Sequence, residues 1–314
     1  MCGIICNMQI NSFSTRPLLT RSVARTQALE SSPPPPGFEV ADAADGSIRP
    51  TGPSFLRRRL ESNNISLVVM RHGQSQSNAD SETAGTPLLY GQSESPLTQK
   101  GRDQAKKCAE DFYNRMGGEA FVRQCIDKPE KLPVFISSSV DRAMETSQTL
   151  VDYLKDRIRE IGGDSTLAPL APQLTVEAEP RLRETNFGSY EKKPMTDVEK
   201  DYPDFIHSWR PAEGLGTDFL HKFPGGESRA DLMVRTSAVM DGVVRRFPGR
   251  TVVLLSHSEC ILGARTALGL APVQDGKTRA ETSTIANATP YWVIGNAPAC
   301  ATSNFGNAGS IQNF

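Results

Sequence analysis

Two arginines and two histidines follow short apolar runs that are typical of buried β-strands. Arg71 and His72 directly follow the first of these runs. Arg142 comes shortly after the second run, and His257 directly follows the third. The runs are SLVVM (Ser66–Met70), VFIS (Val134–Ser137) and TVVLLS (Thr251–Ser256). Because ligands bind outside the carboxyl ends of parallel strands, we expect these four side chains to meet at one edge of a sheet.

This combination of side chains suits the transfer of a phosphoryl group. Two guanidinium groups match the charge and the oxygen geometry of a phosphate monoester dianion. A neutral imidazole is a competent nucleophile at neutral pH and can carry a phosphoryl group covalently. Fixed cations would stabilise the charge that spreads over three equatorial oxygens in the transition state. No carboxylate cluster has the spacing of a magnesium or zinc site, so we expect neither a metal nor another cofactor.

The elements that must position these residues alternate between strands and helices. Thr98 is predicted to begin a helix whose apolar residues keep helical spacing, and Gly117 with Gly118 is predicted to end it. Further helices are expected over 141–159, over 228–247 and from His257 through Leu270, and further strands over Leu174–Ala178 and 282–294. This alternation predicts an α/β protein with three α/β/α layers and a largely parallel, doubly wound sheet.

Six short motifs follow one another along this part of the chain. The first is Leu67–Asn78 (LVVMRHGQSQSN), which contains the tripeptide Arg-His-Gly. The others are Gly91 with SPLTQKG (Ser95–Gly101), SSSVDRAMET (Ser137–Thr146), LRETNFG (Leu182–Gly188), FPGGES (Phe223–Ser228) and Ser256-His257. In this order they resemble the motifs of the histidine phosphatase superfamily, in its phosphoglycerate mutase-like branch. The resemblance covers roughly residues 66–294 and implies the phosphoglycerate mutase-like fold.

The resemblance implies a role for each matching residue. His72 would be the nucleophile that becomes phosphorylated. Glu184 would protonate the leaving oxygen and then activate the water that hydrolyses the phosphohistidine. Three side chains would bind the phosphoryl oxygens: Arg71, Arg142 and His257. Four further positions would complete the phosphate pocket: Asn78, the backbone at Tyr90 and Gly91, and Ser258, which stands where the family usually has glycine.

Each residue taken alone also has a structural explanation. The two arginines could form ion pairs with the nearby carboxylates of Asp141 or Glu145. The second histidine could be an ordinary core residue. Glu184 could pair with Arg181 or Arg183. The joint pattern of six motifs in the right order favours a catalytic site over these separate explanations.

The favoured function is therefore a metal-independent phosphomonoesterase that acts through phosphohistidine on a small phosphorylated metabolite or a phosphoprotein. One alternative is a phosphoglycerate mutase-type phosphotransferase. Those mutases usually show an ER.YG acid motif and a downstream Arg-Arg pair, whereas this chain has LRETNFG and no such pair between Gly188 and Pro224. The other alternative is a weakly active or inactive phosphatase-like protein that docks partners through its proline-rich N-terminal segment.

Composition restricts the class of partner. The 314 residues contain 35 basic and 36 acidic side chains, a formal net charge of −1. This balance argues against a nucleic-acid partner, because such proteins are usually strongly basic. No apolar run approaches the ~20 residues of a membrane span, so no transmembrane segment is expected. The sequence carries no signal for an oligomeric state.

The ends of the chain differ in composition from the centre. Residues 1–62 contain four consecutive prolines, Pro33–Pro36, and are predicted to be disordered, with the charges of 57–59 on a solvated linker. The first 29 residues have arginines and no acidic residue, as in a mitochondrial or plastid transit peptide. A cytoplasmic location is predicted, with an organelle as the alternative. Residues 63–296 would form the phosphatase domain, with an insertion over 189–226, and 297–314 a flexible tail.

Overall fold

A computed structural model describes five stretches of the chain. They are residues 38–42, 47–50, 54–201, 222–269 and 285–295. The predictions for the transit peptide, for most of the insertion, for Leu270 and for the C-terminal tail lie outside the described residues.

A mixed sheet of five strands forms the centre of the described part, in the order β5-β4-β6-β3-β7. Strands β5, β4, β6 and β3 are parallel, and β7 runs antiparallel to β3. A separate antiparallel hairpin consists of β1 (Phe38–Asp42) and β2 (Ser47–Pro50). The sheet strands are β3 (Ser66–Arg71), β4 (Val134–Ser137), β5 (Val176–Ala178), β6 (Thr251–Ser256) and β7 (Pro290–Ile294).

The register of the three central strands brings their carboxyl ends to one level. Arg71 at the end of β3 lies opposite Ser256 of β6, and Ser137 of β4 lies opposite Leu255. The residues that follow these strands therefore meet at one edge of the sheet, where ligands bind in folds of this type.

The helices cover both faces of the sheet. Their bounds are α1 (Phe55–Ser62), α2 (Gln76–Ala84), α3 (Gln99–Met116), α4 (Gly118–Asp127), α5 (Asp141–Gly162), α6 (Asp164–Leu170), α7 (Met195–Asp201), α8 (Arg229–Arg246) and α9 (Ser258–Ala267). Short 3₁₀ turns lie at Pro129–Lys131, Ala171–Gln173, Pro180–Leu182 and Gly188–Tyr190.

Alternate residues of β3 enter two separate cores. Val68 and Met70 pack in a core with buried residues of α3 to α6. Leu67 and Val69 pack in the opposite core, with residues of α1, α8 and α9. A strand that is buried on both faces needs a continuous apolar run, which explains the sequence of β3. The three α/β/α layers and the mostly parallel sheet confirm the predicted fold class.

The start and stop signals of α3 also have the predicted effect. The hydroxyl of Thr98 accepts a hydrogen bond from the backbone N–H of Gly101 at 3.0 Å. Gly117 ends the helix in the left-handed region, at φ 112°. A new helix, α4, starts directly at Gly118, which the sequence pattern does not predict.

The structure differs from the predicted disorder of residues 1–62 in the hairpin of β1 and β2 and at residues 54–62. This stretch forms α1, which is capped by Ser54 and buries Leu60 completely in the core. Arg59 forms an ion pair with Asp241 of α8, so it is not part of a solvated linker. The prolines and glycines that precede α1 dominate the composition of the segment and hide this short amphipathic run. The remaining division into domain and tails stays a prediction.

A third, smaller cluster of buried apolar side chains joins Leu89 to residues near both ends of the predicted insertion. Its other members are Phe187, Tyr190, Met195, Val198 and Phe223. Within the described ranges, no helix is long and apolar enough to cross a membrane.

Candidate active site

His72 lies directly after β3, with only 3% of its surface exposed. Its Nδ1 donates a hydrogen bond to the carbonyl oxygen of Gly73 at 2.6 Å. Because a carbonyl can only accept, the ring proton sits on Nδ1 and Nε2 keeps its lone pair. Burial, assisted by the charges of Arg71 and Arg142, holds the pKa of His72 well below its usual value. The imidazole is therefore neutral, with a nucleophilic Nε2.

The backbone around His72 is fixed by three contacts. Asn287 donates from Nδ2 to the carbonyl oxygen of His72 at 2.8 Å, and the N–H of Gly73 donates to the hydroxyl of Thr146 at 3.1 Å. A Cβ atom on Gly73 would lie only 2.4 Å from the carbonyl oxygen of Gly101. Gly73 and Gly101 are thus both needed, because the start of α3 lies too close to this turn to leave room for a side chain.

Two guanidinium groups, one of them buried and the other half-buried, lie beside His72. Arg142 donates from Nε to Nε2 of His72 at 3.3 Å, and its terminal nitrogens donate to the carbonyl oxygens of Ser93 at 2.9 Å and Gly91 at 2.7 Å. Arg71 donates from one terminal nitrogen to the carbonyl oxygen of Ile285 at 3.0 Å. Its buried Nε has no hydrogen-bond partner among the described residues. Burial lowers the pKa of both arginines.

His257 follows β6 and faces the first histidine, with 5.0 Å between the ring centroids. Its Nε2 lies 2.8 Å from the hydroxyl of Ser138 at the end of β4. Its buried Nδ1 finds no partner in the part of the chain that the structure describes. Burial, followed by the charge of Arg142, holds the pKa of His257 well below its usual value. Arg71 and Arg142 therefore supply positive charge beside two neutral imidazoles, and their combined charge suits a phosphate dianion.

Glu184 lies on the irregular segment after the turn Pro180–Leu182, with its carboxylate at the start of α9. One carboxylate oxygen accepts from the N–H groups of Thr185 at 3.0 Å and Cys260 at 3.3 Å, and the other accepts from the N–H of Glu259 at 3.3 Å. Burial and the charge of Glu259 raise the pKa of Glu184, against the opposing effect of these hydrogen bonds. A proton is thus retained closer to neutral pH than on an exposed glutamate.

The ion pairs that would explain these residues without catalysis are made with other partners. Arg181 pairs with Glu179 at 2.6 Å, and Arg183 donates to the hydroxyl of Ser139 at 2.8 Å. Glu145 pairs with Arg102 at 2.7 Å. Among the described contacts, Glu184, Arg71 and Arg142 therefore do not form the surface ion pairs that the sequence suggested.

The structure places the remaining predicted positions around this group. Asn78 accepts at Oδ1 from the N–H of Ser75 at 3.2 Å and from Nδ2 of Asn287 at 3.4 Å. It reaches His72 through Asn287 in this arrangement. Ser258 is the first residue of α9, directly after the second histidine.

Tyr90 and Gly91 contribute differently from each other. The hydroxyl of Tyr90 donates to Asp80 at 2.9 Å, and its N–H donates to the carbonyl oxygen of Leu88 at 3.0 Å. Gly91 supports the site through its carbonyl oxygen, which holds Arg142. It has φ of 47°, and a Cβ there would lie 2.6 Å from the carbonyl oxygen of Thr185, so this position favours glycine.

Two of the contacts above involve residues that sequence reasoning did not single out. Ser138 lies inside the quoted motif SSSVDRAMET, and its position after a strand was a usable signal. Asn287 forms a parallel bridge with Arg71 just before β7, and no motif marks it. Within the described stretches, no group of three or more His, Cys, Asp or Glu side chains could hold a metal ion.

Comparison with known proteins places the chain in a family. The model of the histidine phosphatase superfamily (branch 1) matches residues 67–163 and 164–285, which is more than half of the chain. The chain is 27% identical over 218 residues to a probable phosphoglycerate mutase GpmB of Yersinia enterocolitica, covering 68% of this chain and 80% of that protein. The protein of the same name from an Enterobacter species is 28% identical over the same shares.

Among solved structures, a mycobacterial glucosyl-3-phosphoglycerate phosphatase complexed with VO3 matches with a TM-score of 0.49 and 24% identity, over 74% of this chain and 98% of that one. A protein described as mycobacterial hydrolase 1 matches with a TM-score of 0.49 and 25% identity, over 68% of this chain and 85% of that one.

Proposed function

The chain belongs to the histidine phosphatase superfamily, and on that premise we propose that it is a phosphomonoesterase that acts through a phosphohistidine at His72. One observation carries the proposal. The Nε2 of His72 keeps its lone pair and lies 3.3 Å from Arg142, beside a second buried imidazole. A neutral imidazole beside a guanidinium and a second imidazole supports the proposal, because such groups can bind phosphoryl oxygens.

In the first step, Nε2 of His72 attacks phosphorus, and the bond from phosphorus to the ester oxygen breaks. The carboxyl of Glu184 gives its proton to the leaving oxygen, so that an alcohol departs and a carboxylate remains. The raised pKa of Glu184 supports this role, because it keeps the acid protonated closer to neutral pH.

In the second step, water attacks the phosphohistidine. A new oxygen–phosphorus bond forms, the nitrogen–phosphorus bond breaks, and the carboxylate of Glu184 takes the water proton. Inorganic phosphate leaves, and His72 returns to its neutral form. One carboxyl thus serves first as acid and then as base, as microscopic reversibility requires.

The two guanidinium groups and His257 would bind the phosphoryl oxygens in both steps. A transition state that carries charge on three equatorial oxygens gains most from fixed cations in a dry site. The buried Nε of Arg71 and the buried Nδ1 of His257 would be used in this way. The proposed chemistry needs no metal ion, since the arginines supply the positive charge.

The proposed substrate class is a small phosphorylated metabolite, with a phosphoprotein as the second option. The mycobacterial phosphatase is named for glucosyl-3-phosphoglycerate, which is a phosphate monoester of a small molecule. The loops that select the remainder of the substrate differ between proteins of one fold, so the proposal for this chain extends to the substrate class and no further.

A mutase is the second candidate, because the relatives from Yersinia and Enterobacter carry that name. A mutase must return the phosphoryl group to its substrate and shield phosphohistidine from water. The absence of an Arg-Arg pair between Gly188 and Pro224 favours hydrolysis. With 3-phosphoglycerate, a phosphatase releases inorganic phosphate, whereas a mutase yields 2-phosphoglycerate.

The test is hydrolysis of para-nitrophenyl phosphate by the wild type and His72→Ala, in EDTA and between pH 5 and 8. We expect turnover that resists EDTA and falls by about 10³-fold or more in the variant, since the nucleophile is lost. Lys107→Ala on the surface of α3 is the control and should keep full activity, with unchanged melting temperature in all variants.

Two outcomes would contradict the proposal. Turnover that survives in His72→Ala would mean that another group is the nucleophile. An inactive wild type, with both para-nitrophenyl phosphate and a panel of phosphorylated metabolites, would favour the mutase or the interaction protein.

A further inference from the structure

A half-buried ion pair lies beside the segment that carries the proposed acid, outside the groups that would touch substrate. Arg235 of α8 donates from two nitrogens to the two carboxylate oxygens of Glu227, at 2.6 and 3.0 Å. The two side chains are only 17% and 14% exposed. A bidentate pair of this kind has a fixed geometry, because both groups are planar.

Both members of the pair also bind the backbone of the segment that carries Glu184. Arg235 donates to the carbonyl oxygens of Arg181 at 2.6 Å and Glu184 at 3.0 Å. Glu227 accepts from the N–H of Asn186 at 2.9 Å. The pair therefore holds this irregular segment before, at and after the acid.

The remaining support of the acid is weaker. The carbonyl oxygen of Glu184 also accepts from Nε2 of Gln92, at 3.1 Å. Its carboxylate oxygens accept from backbone N–H groups at 3.0 to 3.3 Å. Gln92 is a neutral donor, whereas the pair makes charge-assisted hydrogen bonds to the carbonyl oxygen of Glu184 and to the N–H of Asn186.

We infer that Glu227 and Arg235 are a positioning pair that holds Glu184 at the distance from which it protonates the leaving oxygen. The inference rests on the proposed function, because it assumes that Glu184 is the acid. Neither side chain touches the reacting atoms in this account. Both act through the backbone of residues 181–186. A displacement of about 1 Å at a reacting group can lower a rate by about 100-fold.

The test uses two substrates that differ only in their need for an acid. Glycerol 2-phosphate has an alkoxide leaving group that must be protonated, whereas 2,4-dinitrophenyl phosphate has a leaving group that departs as a stable anion. In Arg235→Met, we expect kcat/KM to fall by about 10- to 100-fold with glycerol 2-phosphate and by less than about 3-fold with the dinitrophenyl ester. The ratio kcat/KM covers substrate binding and phosphorylation and excludes the later hydrolysis of the phosphohistidine.

A matched control lies on the same helix. Arg246 also makes a bidentate pair, with Glu177 at 2.5 and 2.7 Å, but both side chains are exposed and no hydrogen bond among the described residues joins this pair to residues 181–186. Arg246→Met should leave kcat/KM unchanged with both substrates. If Arg235 only stabilised the fold, Arg235→Met would instead lower kcat/KM with both substrates by the same factor, because only the fraction of active protein would change.

A second variant covers the case in which Arg235→Met fails to fold with an unpaired buried carboxylate. The double variant Glu227→Gln, Arg235→Gln removes both charges together and should show the same selective loss. Equal losses with the two substrates, or no loss with either, would overturn the inference. Glu184→Gln, measured with the same two substrates, separates the failure of this inference from the failure of the proposed function. If Glu184→Gln also loses equal activity with both substrates, the acid role of Glu184 fails. If Glu184→Gln loses activity mainly with glycerol 2-phosphate and the pair variants do not, only the role of the pair fails.

Discussion

The two sides of the site are held by different kinds of structure. His72 and His257 follow adjacent parallel strands, and the ladder of β3 and β6 fixes their spacing. Glu184 lies on an irregular segment, and side chains 51 and 92 residues away in the sequence hold its carbonyl oxygen. The position of His72, the proposed nucleophile, thus depends on the sheet, and the position of Glu184, the proposed acid, depends on a few polar contacts. Substitutions around His72 should therefore slow all phosphate esters, whereas substitutions around Glu184 should slow mainly the esters whose leaving group needs a proton.

The largest effect after loss of the nucleophile is expected on the sheet side. Arg142→Leu removes the guanidinium that contacts His72 and the two loop carbonyls of Gly91 and Ser93. We expect kcat/KM to fall by about 10³-fold or more with both glycerol 2-phosphate and 2,4-dinitrophenyl phosphate, because both share the phosphoryl group. Arg159→Leu is the control, because Arg159 is an exposed residue of the same helix and pairs with Asp156 and with Asp164 of α6. A loss confined to glycerol 2-phosphate would contradict the account, because Arg142 would then act like a residue that supports Glu184.

A smaller effect, seen as a pH shift, is expected on the acid side. The charge of Glu259 raises the pKa of Glu184, and Glu259 itself pairs with Arg229 at 3.0 Å. Glu259→Gln removes a negative charge and leaves a positive one, so the pKa of Glu184 should fall. The protonated acid is then lost at lower pH, and the alkaline limb of kcat/KM with glycerol 2-phosphate should move to lower pH.

The dinitrophenyl ester provides the control for this pH shift, because its leaving group needs no proton. Its profile should stay in place in Glu259→Gln. A limb that moves to higher pH, or an equal shift with both substrates, would show that Glu259 does not act through the acid.

The same contrast explains how much of the site can be predicted from the sequence. The ends of β3 and β6 can be located from continuous apolar runs, and their register brings the two histidines together without further information. The partners of Glu184 cannot be located in this way, since Arg235 looks like any polar residue on an amphipathic helix. Asn287 is equally unmarked, because its contact with His72 depends on how the chain returns to β7.

The fold shows a similar division. Most elements with strong periodicity or clear caps, such as α3, have nearly the predicted bounds. The predicted strand Leu174–Ala178 shortens to Val176–Ala178 at the edge of the sheet. Helix α1 is missed because only its burial of Leu60 against the core distinguishes it from the proline-rich segment before it. Short elements of this kind are stabilised by tertiary packing more than by their own propensity.

The most direct test of the central claim is to trap the phosphorylated protein during turnover. The reaction with 2,4-dinitrophenyl phosphate would be stopped in alkaline denaturant, which preserves phosphohistidine, and the chain mapped by mass spectrometry. The account predicts one acid-labile phosphoryl group, on His72, and none in His72→Ala. A phosphoryl group on any other residue, or steady hydrolysis with no phosphorylated chain at any quench time, would contradict it.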